Sequence, residues 1–270
     1  MAPPLRSAGM AHECPKRELC ANDDAGLHAS AAPTGHDGCV TDTASDARKS
    51  FHEALDELRI DVIRLAALTT EAIAGGTQAF LDADLAAAEQ VIENDDDIDE
   101  LTHSIEDRCY LLLARQQPMA SDLRTVVAVL RIVHELERSA DLMVNVAKTT
   151  RRLYPHSVDP KLRGIIQRMG EQAGTQTRVA IDAFADADPS AAAALADMDD
   201  TMDDLTKSLF RYILGSASGE EETVLQAVQL ALVGRHYERI ADHSVTIAQR
   251  VGFMVTGEHP QADDFARKGD

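Results

Sequence analysis

The sequence predicts an all-α protein of two tandem three-helix bundles, an elongated six-helix architecture made by internal duplication. Three observations predict it. Apolar residues recur at three- and four-residue spacing over long stretches, and no stretch of any length alternates as a half-buried strand does. Trp is absent and aromatics are only 4% of the 270 residues, so Ala, Leu, Val and Ile must fill the core, which suits closely packed helices. The chain also repeats itself: a shift of 104 lays residues 80–106 on 184–210 without a gap, with twelve of 27 positions identical.

The elements follow in order. Residues 1–47 are rich in Ala, Asp, Gly, Pro and Ser without apolar period, and read as a disordered N-terminal tail. The tail has no hydrophobic region, so no signal peptide is expected. Its His12, Cys14, Cys20, His28, His36 and Cys39 lack CxxC pairing and make a weak zinc candidate. With Cys109 inside a helical pattern, no disulfide framework is expected.

Leu55, Leu58, Val62, Leu65 and Ile73 mark a first helix over roughly 48–81. Ile98, Leu101, Ile105, Cys109 and Leu112 mark a second over roughly 84–115, and Leu136, Ala140, Met143 and Ala147 a third over roughly 119–150. Turn chemistry separates them at Asp82-Ala83-Asp84, Gln117-Pro118 and Tyr154-Pro155. Residues 48–154 then form the first bundle and 155–256 the second, with the boundary near Pro155–Pro160 and a flexible C-terminal tail over 257–270.

A formal net charge of −20 argues against nonspecific nucleic-acid binding and against docking on an anionic membrane. No apolar run approaches the roughly 20 residues needed to span a bilayer, and a cytoplasmic protein is expected. An acidic surface suits cations or basic protein partners.

The acids are not scattered. Residues 93–100 hold six carboxylates in eight positions and residues 197–204 hold five, and no Lys or Arg lies between 91 and 107. Asp95 and Asp99 are spaced i, i+4, as are Asp199 and Asp203, and like charges at that spacing repel. Glu137/Asp141 and Glu238/Asp242 repeat the spacing in the third helix of each copy, with Asn145 one turn beyond. Helical phase turns both sets outward or along the bundle edge. Counting residues from the turn puts the two pairs of the first copy roughly 3 Å apart along the axis, and those of the second roughly 7 Å. Clustered hard oxygen ligands fit a multivalent site for Mg, Mn or iron better than structural zinc, and the plainer reading is a solvated acidic face.

Glu100 and His103 form an ExxH, the ligand pair of di-iron bundles, but the second copy has Lys207 in place of His103. His134, His236 and His243 flank the acidic motifs; each reads more readily as a surface or partly buried histidine than as a ligand, with His243 an outer-shell candidate. No nucleophile elbow, phosphate-binding loop or dinucleotide turn appears, so no catalytic residue is expected.

Residues 136–148 (LERSADLMVNVAK), 237–250 (YERIADHSVTIAQR) and 120–138, with the D-x-x-[IM]-D segments at Asp95–Asp99 and Asp199–Asp203, resemble the signatures of the PhoU family. The likeness covers about 48–256. It implies two three-helix bundles that commonly dimerise and carry multinuclear metal clusters on the surface. The clusters would use Asp95, Asp99, Glu137, Asp141 and Asn145 in the first copy, and Asp199, Asp203, Glu238 and Asp242 in the second. The sequence departs at Thr246, where the counterpart of Asn145 is expected, and a Thr hydroxyl is the poorer ligand. The implied role is negative regulation of phosphate uptake and the phosphate-starvation response, linking the cytoplasmic ATPase of a phosphate ABC transporter to a sensor histidine kinase. A metal-storage or di-iron-type enzyme bundle is the alternative.

Overall fold

The computed structural model describes residues 40–116, 118–155, 158–216 and 221–258, and these are helical apart from the turns. The six cysteines and histidines of the zinc candidate lie outside them. The chain divides into units Met1–Thr43 and Ala44–Asp270. Of the first, only helical residues from Val40 onward are described, and all packing below belongs to the second.

Among the described residues seven helical segments follow one another: α1 (Val40–Asp82), α2 (Leu85–Glu93), α3 (Asp95–Gln116), α4 (Ser121–Leu153), α5 (Pro160–Asp186), α6 (Ala191–Ser216) and α7 (Glu221–Thr256). α1 starts eight residues before the expected 48, because neither Pro nor Gly occurs from Val40 to Ala74 to stop it. The expected second helix is divided at Asn94. Its backbone stays helical there and its N–H still bonds the Gln90 carbonyl at 2.9 Å, so α2 and α3 make one interrupted rod.

Two helix starts are capped by aspartates, whereas α4 begins after Ala120 with no side-chain cap. Asp84 accepts from the N–H groups of Ala86 and Ala87 to start α2, and Asp159 from those of Lys161 and Leu162 to start α5, with Pro160 in the first turn. Three acids, Asp95 to Asp97, occupy the first turn of α3, where the helix dipole favours negative charge.

Helices α5, α6 and α7 pack on one another and α2–α3 packs on α4, which agrees with two three-helix bundles, and α4 packs along α7. The bundles do not keep private cores. One apolar cluster joins Leu58, Val62, Ile105 and Leu136 of the first copy to Phe184, Ile247 and Val251 of the second. The other joins Ile73, Phe80 and Met143 to Ile166, Leu209, Val233 and Tyr237. α4 runs antiparallel to α7, since Arg124 at the start of α4 donates to the Met254 carbonyl at the end of α7, 3.3 Å away. Glycines let neighbouring helices approach closely, Gly170 against a fixed side chain and Gly76 against the movable end of a methionine. A Cβ on Gly76 would lie 2.7 Å from the Met143 methyl, and one on Gly170 would lie 2.5 Å from the Thr77 hydroxyl.

Candidate functional site

Asp95 stands at the first position of α3, four residues after the buried Val91 and three before the buried Ile98, so its carboxyl is drawn toward the core stripe. Asp99 follows one turn on. From α4, Glu137 and Asp141 face the same region, flanking the buried Ala140. Asp95, Asp99 and Glu137 are half-buried, whereas Asp141 and Asn145 are exposed.

The four carboxylates feel one another. Burial, then repulsion from Asp99, Asp141 and Glu137, pushes Asp95 up to about 6. Burial and then repulsion from Asp141, with Asp99 behind it, also raises Glu137. The arrangement thus joins α3 to α4 in one acidic face, with Lys148 and His134 as minor opposing charges. His134 Nδ1 lies 3.6 Å from the Glu137 carboxylate. Asn145 donates its amide N–H to the Asp141 carbonyl at 2.9 Å, which leaves its side-chain oxygen as the acceptor.

The second copy is arranged differently. Asp199 is 4% exposed and sits in the stripe Leu195, Met202, Thr206, which corrects the outward orientation that helical phase predicts for it. The reason is packing: α6 lies against both α5 and α7 along that stripe. Asp203, Glu238, Asp242 and Thr246 are half-buried. Arg235 clamps the Glu238 carboxylate at 2.6 Å, and the Thr246 hydroxyl donates to the Asp242 carbonyl at 3.0 Å.

Among the described residues, no three His, Cys, Asp or Glu side chains stand close enough to hold an ion as they are. The first face nevertheless fits a hard cation, because its carboxylates repel one another and carry no strong counter-cation. The second fits less well, with Glu238 already neutralised by Arg235. Glu100 and His103 are both exposed, and His103 is turned back to the Asp99 carbonyl at 2.7 Å, so the ExxH does not point into a bundle.

His243 is not an outer-shell group. It is 6% exposed between α4 and α7, with Nδ1 3.0 Å from the Ser139 hydroxyl and Nε2 3.8 Å from the Glu135 carboxylate. Burial, aided by Arg138 and Arg239, pushes it down to about 4, so it is neutral near pH 7 and Glu135 makes no ion pair with it. Periodicity had no means of finding this contact, since the two partners lie 104 residues apart.

The family model described as "PhoU domain" matches residues 62–150 and 166–251. The phosphate-specific transport system accessory protein PhoU homolog 1 of Mycobacterium leprae is 37% identical over 217 residues, 80% of this chain and 97% of that protein. The corresponding homolog of Pseudomonas aeruginosa is 30% identical over 77% of this chain and 86% of its own. The crystal structure of PhoU from Pseudomonas aeruginosa superposes with a TM-score of 0.72 at 30% identity, over 77% of this chain and all of that one. The regulatory protein PhoU from Streptococcus pneumoniae gives 0.70 at 28% identity, over 78% of this chain and 99% of that one.

Proposed function

This chain belongs to the PhoU family, and from that membership we propose that it is a negative regulator of phosphate uptake and of the phosphate-starvation response. The observation that carries the reading is a relative at 37% identity over 97% of its length, named as an accessory protein of a phosphate-specific transport system. In this reading the protein works in the cytoplasm as a homodimer, and couples the cytoplasmic ATPase of a phosphate ABC transporter to a sensor histidine kinase. It catalyses no reaction; its output is which partner it holds. Among the described residues no helix is long and apolar enough to cross a membrane, in keeping with a protein that meets its partners from outside the bilayer.

The acidic face of the first copy is the proposed point of control. Asp95, Asp99, Glu137, Asp141 and the Asn145 oxygen would hold iron, Mn or Mg, with zinc as an alternative. A bound cation there would cancel the repulsion across the face and offer a positive centre to an anionic partner group. Apolar packing of Ile98 and Ile105 with Leu136 and Ala140, not the repelling carboxylates, holds α3 against α4. Asp199, Asp203, Glu238 and Asp242 form a weaker second site for the reasons given above.

Deletion of the gene tests the reading: cells in rich phosphate should take up phosphate at a derepressed rate, restored by the intact gene. Normal repression in the deletion strain would defeat it.

A further inference from the structure

A cleft of about 700 Å3 opens between the start of α5 and the end of α6, with Lys161, Arg168, Arg211, Ser208, Tyr212 and Ile165 in its walls. Three cations thus gather in a chain of formal charge −20. Among the described residues none of the three forms an ion pair. Arg168 donates only to the Gly164 carbonyl of its own helix, at 3.1 Å. The carboxylate at the rim, Asp159, caps α5 and accepts the Tyr212 hydroxyl.

The first copy supplies an internal control. The shift of 104 carries over to the flanking helices, because Leu58/Leu162, Val62/Ile166, Leu65/Met169 and Ile105/Leu209 are buried in pairs. At the equivalent place in the first copy, Arg108 is bound by Glu57, at 3.1 Å, and by Asp61. In the second copy Lys161 replaces Glu57, Ile165 replaces Asp61, Arg211 replaces Asp107 and Tyr212 replaces Arg108, while Arg64/Arg168 and Ser104/Ser208 are retained. At these positions three acids and two bases have become three bases, with Asp159 at the rim as the nearby acid beside Lys161. Folding does not require the inversion, since the first copy packs the same helices with the opposite charges, and three clustered cations repel one another.

We propose that this cleft binds a small, multiply charged phosphate compound of the nucleotide class. Arg forks and a Lys point charge suit phosphate oxygens. A volume of about 700 Å3 lies within the usual range for small-molecule sites of roughly 300–1,000 Å3 and is too large for a lone phosphate ion. The Tyr212 ring and Ile165 supply a wall for an apolar or aromatic body. A nucleic acid is disfavoured by the charge of the whole chain. The site is separate from the acidic faces, so it stands or falls apart from the regulatory reading.

The test is calorimetric titration of the full chain at low salt with ATP, tripolyphosphate and inorganic phosphate, in EDTA so that no metal bridges ligand to carboxylates. ATP should saturate one site and bind more tightly than the other two. Arg168→Gln/Arg211→Gln should weaken it by about tenfold or more, the cost of losing charged hydrogen bonds. Lys161→Glu, which restores the acid of the first copy, should do the same, and Arg64→Gln should leave binding unchanged. All four positions are on the surface, and an unaltered melting temperature separates lost binding from lost folding. No saturable binding, undiminished binding in the first two variants, or an equal loss in Arg64→Gln would overturn the site. Tripolyphosphate or inorganic phosphate binding as tightly as ATP would overturn the nucleotide body.

Discussion

Across the α4–α7 interface, His243 meets Ser139 with its Nδ1 3.0 Å from the hydroxyl oxygen. That hydroxyl lies 2.7 Å from the Glu135 carbonyl, which only accepts, so Ser139 gives its proton there and His243 must donate from Nδ1. The imidazole is therefore held as the neutral Nδ1–H tautomer in the joint between the two copies.

Acid sensitivity follows from this contact. His243 falls to about 4 in the folded chain, against an ordinary value of 6.5, so between those values the unfolded chain binds more protons. Stability from this residue is present above about pH 6.5 and is lost as pH falls toward 4. His243→Gln should flatten that slope in thermal melts taken from pH 7 to pH 4; a slope as steep as in the parent chain would contradict the buried neutral imidazole.

Asp95 acts with the opposite sign. Its carboxyl is raised from 3.8 to about 6, so the folded chain holds the extra proton and stability falls as pH rises through that window. In chelator at pH 7, Asp95→Asn should melt higher than the parent, by about 2–4 °C for each kcal/mol of repulsion removed. Screening by water trims the gain at this half-buried site. The advantage should vanish near pH 4, where the parent's Asp95 is protonated.

Metal content should divide between the copies. After loading with Mn or iron and desalting, Asp99→Ala and Asp141→Ala should each lose bound metal by elemental analysis. Glu238→Gln should change it little, because Arg235 already occupies that carboxylate. Unchanged metal in both first-copy variants would remove the proposed ligand set.

Gly170 marks where α5 crosses α1. An added Cβ would meet the Thr77 hydroxyl at 2.5 Å, and that hydroxyl is fixed by the Ile73 carbonyl at 2.6 Å and the Tyr237 hydroxyl at 2.8 Å. Gly170→Ala should cost about 1–3 kcal/mol through overpacking, against roughly 1 kcal/mol gained in helix propensity. Denaturant melts of the double variant with Thr77→Ala should fall short of the sum of the single losses, since removing Thr77 relieves the clash.

Much of this was legible in the chain. The period of Leu55, Leu58, Val62 and Leu65 located α1, and the repeat located α5 to α7 from α1 to α4. The pairing of Asp95 and Asp99 with Glu137 and Asp141 was legible too, because counting residues from a turn measures distance along two antiparallel helices. Asp199 was not: its phase on α6 is the same whether or not a neighbour covers it, and α5 and α7 cover it. Nor was the basic cleft, whose members come from two helices and signal only when Lys161 and Arg211 are set against Glu57 and Asp107.

The sequence by itself determined that the protein is helical, that it is duplicated, and that each copy carries paired acids, since all three are patterns along one dimension. Only the tertiary structure decided that the two copies share their cores, that His243 is sealed against Ser139, and that the two acidic faces differ. Those outcomes depend on which helix lies across which, and local periodicity carries no record of a partner about a hundred residues away.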